Sequence, residues 1–365
     1  MTLGVAITGF RLPIPVTVTR HALQMAMAGG TQNTAAHSTR TLMFRTGSEL
    51  PSYGEPTSKS KPAVENSLGS DLTNGLGRID RPEVRAANPS DNDLQRAAGS
   101  GQIILGDSET GTRIMDIFQK SPIRIMFPRI GGGAVEEAVL INTAGGIAGG
   151  DRLEFDVTAQ AGASIAVTSQ AAEKVYRALN EPARISTKLK AYEAAKLAWL
   201  PQETIVFNRG RVSRETDVEL SSGAELLALE WIVLGRAAHG EEMVGGHLTD
   251  SWRIKKDGQL IWADSFRVTD QIFPHLHRNA LLSNCTAVGT LVYFGPAPHT
   301  RLEFLRDVAS SLECHCAATS VGGLIIVRFA AIVSSDLRLA LRNFLQQFNR
   351  EFGPGPFRVP KMWSC

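Results

Sequence analysis

The sequence predicts a mainly β protein, an elongated sandwich, barrel or layered solenoid of short strands, ending in a small α/β portion with two helices. Three observations lead there. From about Gly101 the apolar residues come in short alternating or continuous runs. Turn signals divide these runs, among them Gly150-Asp151, Glu181-Pro182, Arg209-Gly210, Ser222-Gly223 and Asp257-Gly258. After about residue 287 the rhythm changes, and strand-like runs alternate with helical spacing.

In chain order, residues 1 to about 95 are rich in Ser, Thr, Asn, Gly and Pro with few spaced apolar residues. Such a segment buries too little surface to offset its ordering entropy, so a disordered extension, or a start placed too far upstream, is expected. The β stack is expected over about 96–286. Within it Leu153, Phe155, Val157 and Ala159 alternate with polar residues, the period of a half-buried strand. Val212, Arg214, Thr216, Val218 and Leu220 share one face of another strand, and Leu260, Trp262, Asp264, Phe266 and Val268 a third. The α/β end is expected over about 287–365. There AVGTLVYF reads as a strand and Leu302, Leu305, Val308 and Leu312 follow helical spacing behind an N-cap at Thr300. LIIVRFAAI is a second strand, and Leu337, Leu341, Phe344, Leu345 and Phe348 form the stripe of a helix capped by Ser334 or Ser335.

The stretch NTAGGIAGGD carries the glycine pairs Gly145–Gly146 and Gly149–Gly150 and then Asp151. Glycine permits sharp turns and close backbone approach, so Asp151 is delivered at a defined point. A phosphate-binding loop is disfavoured. No Gly-Lys-Ser/Thr opens a helix, no G-x-G-x-x-G joins a strand to a helix, and a strand follows instead.

Lys and Arg number 38 against 36 Asp and Glu, so no strong field points to nucleic acid or an anionic membrane. Four cysteines crowd the C-terminal third without a disulfide framework, which fits a reducing cytoplasm. No long apolar run predicts a membrane span, and the N-terminus lacks the order of a signal peptide.

At NTAGGIAGGDRL, TSQAAEKVYRA, WLPQETIVF and ALEWIVLGRAAHGEE the sequence resembles the urease accessory protein D family, called UreD or UreH. The likeness runs in order from RIMDIFQKSPIRIMFPR to the C-terminal MWSC. The resemblance implies a non-enzymatic maturation factor that joins accessory protein F and the GTPase G on apo-urease and helps deliver nickel. It implies a β-helix-like stack with C-terminal helices. It also implies an internal nickel passage lined by acidic groups, with no tightly bound cofactor. Asp151, Glu230 and, less closely, Asp264 fall on the family's acidic positions, and Glu241 on its Gly-Glu pair. Gly235-Arg236-Ala237 stands where the family often has Gly-Arg-Pro.

Glu230 is the most informative residue on physical grounds, because it sits in LLALEWIVL, a run apolar on both faces. A buried carboxylate must find a cation, take up a proton or line a wet passage. Arg236 or another arginine is its expected partner, and Asp264 between Trp262 and Phe266 poses the same question. Nickel accepts imidazole, thiolate or carboxylate, and a path that releases it needs few ligands. His275 and His277 would face one side if extended, but they follow a proline in an expected loop. Cys314-His315-Cys316, placed just after a helical stripe, lacks a second pair to complete a zinc site. His239 and Glu241 read as passage-mouth groups or loop polars. No nucleophile elbow or H-E-x-x-H motif occurs. Two other readings remain: a β-solenoid carbohydrate hydrolase or lyase using Asp151, Glu230 and Asp264, and an interaction protein with no metal role.

Overall fold

A computed structural model describes residues 96–128, 136–353 and 355–364, so the expectation for residues 1 to about 95, and Cys365, lie outside the described residues. In chain order the first strands are β1 (Ala98–Gly106), β2 (Arg113–Lys120), β3 (Ile123–Met126), β4 (Glu137–Asn142), β5 (Arg152–Ala159) and β6 (Ser164–Ser169). There follow β7 (Glu173–Val175), β8 (Ala183–Ala191), β9 (Lys196–Trp199), β10 (Thr204–Val206), β11 (Arg211–Leu220) and β12 (Glu225–Leu234). The rest are β13 (His247–Lys256), β14 (Gln259–Val268), β15 (Ala287–Phe294), helix α1 (Pro298–Ser310), β16 (His315–Val321), β17 (Leu324–Ala331) and helix α2 (Ser334–Phe352).

These strands make two sheets. One has the order β14-β13-β11-β8-β5-β1-β2, the other β16-β17-β15-β12-β9-β6-β4-β3, with β10 beside β12 and β7 beside β10. From β4 to β13 the chain passes back and forth between them, each return adding a parallel strand in register with the last. This is a two-sided layered solenoid, the β-helix-like stack the sequence pattern and the family resemblance implied.

The alternation of β11 places Val212, Arg214, Thr216, Val218 and Leu220 on the inner face, all buried. The inner sides of the sheets pack on one another. On the second sheet the outer face is buried too: Leu227, Leu229 and Trp231 of β12, Leu291 and Tyr293 of β15, and Val327 and Phe329 of β17 meet the stripes of both helices. A strand covered on both faces has no polar side to show, which is why LLALEWIVL and LIIVRFAA read as continuous apolar runs. The tail returns to this layer, where the Trp363 Nε1–H donates to the Leu200 carbonyl at 3.1 Å.

Four local expectations are corrected. Helix α1 begins at Pro298 behind Ala297, whose φ is 51°, so Thr300 lies inside the first turn; proline presets the first helical φ and its missing N–H has no intrahelical partner there. Helix α2 is preceded by Val333 in extended conformation, and Ser334 and Ser335 are already helical. Leu312 lies beyond α1, half-buried against the outer cluster. Leu260 is exposed, because the pairing of β13 with β14 shifts register between Ile254 and Lys255 and turns it away from the face of Trp262, Asp264 and Phe266.

The outer cluster has its densest point at Phe348, with ring centroids 5.2 Å from Tyr293, 4.7 Å from Phe352 and 5.9 Å from Phe357. Phe348→Ala is expected to lower unfolding stability by about 3–5 kcal/mol in urea titration. Exposed Leu339→Ala on the same helix should change it by less than about 0.5 kcal/mol.

Candidate functional site

The space between the two sheets is apolar at both ends and polar in the middle. One end gathers Ile185, Val212, Ile232, Leu248, Val268, Val288 and Ala330. The other gathers Leu189, Val218, Ala228, Ile254, Trp262, Val292 and Ile326. Between these groups strand after strand carries a polar residue: Thr187 on β8, Arg214 and Thr216 on β11, Glu230 on β12, Asp250 on β13, Asp264 on β14, Thr290 on β15 and Arg328 on β17. Register turns these positions into a layer. Arg214 stands beside Asp250, Thr216 beside Thr187 and Trp252, Glu230 beside Thr290, and Thr290 beside Arg328.

Arg214 is the hub. Its Nη1 lies 2.6 Å from Glu230 Oε2 on the facing sheet, and its Nε donates to Asp250 Oδ1 at 2.8 Å on its own. Nη1 also donates to Thr204 Oγ1 at 3.0 Å, and the Trp199 indole N–H donates to Glu230 Oε1 at 2.7 Å. Farther along the layer Arg328 donates to Asp264 and, at 2.5 Å, to Thr290 Oγ1. Of the partners expected for Glu230, Arg236 or another arginine, the structure supplies the second: Arg236 lies on the surface, bound to Glu241. Arg214 reaches Glu230 because the facing strand, not the neighbouring turn, is what a buried side chain meets.

Two features distinguish this layer from a set of closed ion pairs. Three carboxylates (Glu230, Asp250, Asp264) face two guanidiniums (Arg214, Arg328), leaving one negative charge in surplus when all are ionised. Arg214 Nη2, Thr216 Oγ1 and Trp252 Nε1 are buried without a hydrogen-bond partner, and all three sit on adjoining strands at this level. Buried polar atoms in folded proteins are as a rule satisfied, and three unsatisfied ones on adjoining strands mark a place that takes water or a polar visitor.

Burial opposes the Arg214 charge, but Asp250 and Glu230 outweigh it and raise its pKa above the ordinary value. Burial raises the Glu230 carboxyl above its ordinary 4.5 despite Arg214 and the indole, and the nearby Asp250 charge adds to the rise. One guanidinium serving two carboxylates leaves the second under-compensated, so that direction follows from the geometry.

The remaining candidates lie elsewhere. Asp151 closes the glycine turn just before β5, its Oδ1 accepting the Ala97 N–H at 2.8 Å and its Oδ2 the Ala148 N–H at 2.7 Å. Gly146 has a φ of 158° and packs under Tyr176, and a Cβ at Gly149 would lie 2.6 Å from the Glu181 carbonyl oxygen. Gly145 and Gly150 also take positive φ, 75° and 87°. His275 falls in a short 3₁₀ turn, Phe273–His275, with His277 exposed just after it, so the two are not on an extended face. Cys314 ends a bend and Cys316 belongs to β16, a strand where a post-helical segment was expected; side chains two apart there share a face. Among the described residues no three His, Cys, Asp or Glu side chains gather as a metal site.

Sequence reasoning passed over Arg214, Asp250 and Arg328 as functional. The signal was present: Asp250 alternates with Leu248, Trp252 and Ile254 as Glu230 does with Ala228 and Ile232, and a charge inside an alternating apolar face needs the same explanation.

Arg214→Leu strands two buried carboxylates and should cost about 3–5 kcal/mol in denaturant unfolding. Glu230→Gln keeps one acceptor oxygen, for Arg214 or for Trp199, and turns its NH2 toward the other donor, so it should cost about 1–3 kcal/mol. A carboxyl whose pKa is raised on folding holds its proton more tightly in the folded chain. Its contribution is therefore full below 4.5 and is lost as pH rises through the folded value. Glu230→Gln should accordingly gain stability relative to wild type as pH climbs from 4.5 toward neutrality, in paired unfolding curves across that range.

A family model described as UreD urease accessory protein matches residues 97–364. "Urease accessory protein UreD" of Xanthobacter autotrophicus is 38% identical over 270 residues, covering 74% of this chain and 91% of that one. "Urease accessory protein UreD 1" of Brucella melitensis is 37% identical over 279 residues, 76% of this chain and 97% of that one. The protein of the same description from Methylobacterium radiotolerans is 38% identical over 288 residues, 78% and 96%. With its family match spanning the whole described solenoid and both helices, the chain belongs to the UreD urease accessory protein family.

Proposed function

We propose that this chain is a urease maturation factor. It is a non-catalytic scaffold that binds apo-urease together with accessory protein F and the GTPase G, and it passes nickel toward the urease active site. The observation that carries the metal role is the polar layer between the sheets, with its surplus carboxylate and its three unpartnered polar atoms. A cation crossing an apolar interior needs negative charge and exchangeable hydrogen bonds, and it leaves again only if few ligands grip it. Glu230 and Asp264 meet that description, each already shared with an arginine, so a passing cation competes for them rather than being caged. Asp151, with both oxygens taken by backbone amides, serves this role by fixing the turn that starts β5.

The chain works in the cytoplasm in this reading. Cys285, Cys314 and Cys316 are free thiols, and no helix of the described residues is long and apolar enough to cross a membrane. A carbohydrate hydrolase or lyase would need its carboxylates on an open groove; Glu230 is 4% exposed and bound to Arg214 and Trp199.

The test is co-expression of the chain with the F and G proteins and apo-urease from the same source, followed by pull-down, urease nickel content and urease activity. Activity is expected to depend on this chain. The double variant Glu230→Gln with Asp264→Asn should leave the complex intact while nickel content and activity fall about tenfold or more. Full activity of the variant would sink the passage and leave the scaffold; activity without this chain would sink both.

A further inference from the structure

A second charged site lies on the surface, where three neighbouring parallel strands end together. Val175 of β7, Val206 of β10 and Leu234 of β12 stand side by side. Each strand then runs into a turn carrying arginine: Tyr176-Arg177, Phe207-Asn208-Arg209 and Gly235-Arg236. A cleft of about 620 Å³ opens there, continuous through Arg177 and Arg209 with a second of about 300 Å³ that reaches Arg211. Its floor is aromatic. Tyr176 and Phe207 meet edge to face at 5.3 Å, and the Arg236 guanidinium stacks over Phe207 at 4.1 Å.

The charges in this cleft do not cancel. Glu241 is held by Arg236 through two hydrogen bonds of 3.2 and 3.0 Å, which draw its carboxyl below the ordinary value. Asp270 gives one oxygen to Arg211 at 2.7 Å and the other to the Gly246 N–H at 2.8 Å. Both acids are thereby spent. Arg177 and Arg209 are exposed and have no acidic partner among the described residues. Arg209 is also held in place: its φ is 61°, its N–H donates to the Gly245 carbonyl at 2.9 Å, and its own carbonyl accepts the Ala178 N–H at 3.1 Å. A non-glycine residue kept in the left-handed region costs about 1 kcal/mol or more, and the turn fixes the point at which this side chain leaves the backbone.

We propose that this cleft docks an acidic peptide segment of a partner protein, with carboxylates bound by Arg177 and Arg209 and an apolar neighbour seated on the rim. Two guanidiniums with free forks over an aromatic floor match carboxylates in charge and shape. The rim decides between a peptide and a free anion. Leu179 is 79% exposed and Val244 52% exposed beside the arginines, apolar surface that a small anion would leave in water and a peptide would cover. This inference stands apart from nickel passage and does not depend on it.

The experiment selects a displayed random-peptide library on the full chain and measures the enriched peptides by fluorescence anisotropy. Enriched peptides are expected to carry Asp or Glu next to an aliphatic or aromatic residue. They should bind Arg177→Glu with Arg209→Glu at least about tenfold more weakly, while Arg253→Glu, an exposed arginine elsewhere, has no effect. Replacing the peptide's acidic residues by Lys should restore binding to the reversed variant. The proposal is overturned if enriched peptides lack acidic residues, if they bind the reversed variant as well as wild type, or if no peptide is enriched. It is also overturned if free glutamate or inorganic phosphate binds as tightly as the peptides, which would make the cleft a small-anion site.

Discussion

One guanidinium holds the two sheets in their polar register. Arg214 binds Asp250 beside it and Glu230 across the interior, and nothing else on its strand at that level can compensate either charge. Burying two carboxylates and an arginine with good geometry roughly breaks even at best. Apolar replacements of similar volume are often neutral or stabilising by about 1–4 kcal/mol. A solenoid already supplied with Leu, Ile and Val on both sides of this layer has no stability reason to keep three carboxylates and two arginines there. The proposed passage gives the layer a reason other than stability, and its unpaired Nη2, Oγ1 and indole N–H fit the same proposal.

Such a layer exists only because the coils repeat in register. Each of β5, β8, β11 and β13 lies parallel to the next with no slip, so the polar residues that β8, β11 and β13 carry at neighbouring levels, Thr187, Arg214, Thr216 and Asp250, become a belt. A slip by one residue would turn every inward side chain outward. The turns therefore carry part of the work. Asp151 clasps the Ala148 amide inside the glycine stretch and the Ala97 amide just before β1, and the close passage of Gly149 against the Glu181 carbonyl brings successive coils together where a side chain would hold them apart.

Much of this was legible in the sequence, because the relevant forces act at short range. Period-two alternation marked β5 and β11, apolar runs marked the strands covered on both faces, and the helical stripes of α1 and α2 appear where their spacing put them, Leu312 excepted. Glu230 stood out because a carboxylate in LLALEWIVL had no apolar reason to be there. What could not be read was pairing across the stack. Arg236 is six residues from Glu230 and was the natural partner by proximity, yet Gly235, at a φ of 78°, ends the strand and turns Arg236 out to the surface, while Arg214 approaches from the facing sheet. The caps failed for a related reason: α1 begins at Pro298 behind a left-handed Ala297 and α2 begins at Ser334 behind an extended Val333, backbone geometry that overrode the preference for a hydroxyl.

The interior layer and the surface cleft are two outcomes of the same strands. β11 starts with Arg211 in the cleft and carries Arg214 inward after it; β12 carries Glu230 inside and releases Arg236 at its end. What separates the sites is an apolar plug containing Val212, Ile232, Leu234 and Leu248, which lies between the belt and the arginines. That plug lets one protein keep an uncompensated positive surface close to an interior with more carboxylates than guanidiniums without the two neutralising each other. A flexible arginine at the belt's end would have closed on Asp250 or Glu230. Held outside by the plug and by the left-handed turn at Arg209, the cleft arginines stay available to something that comes from solution.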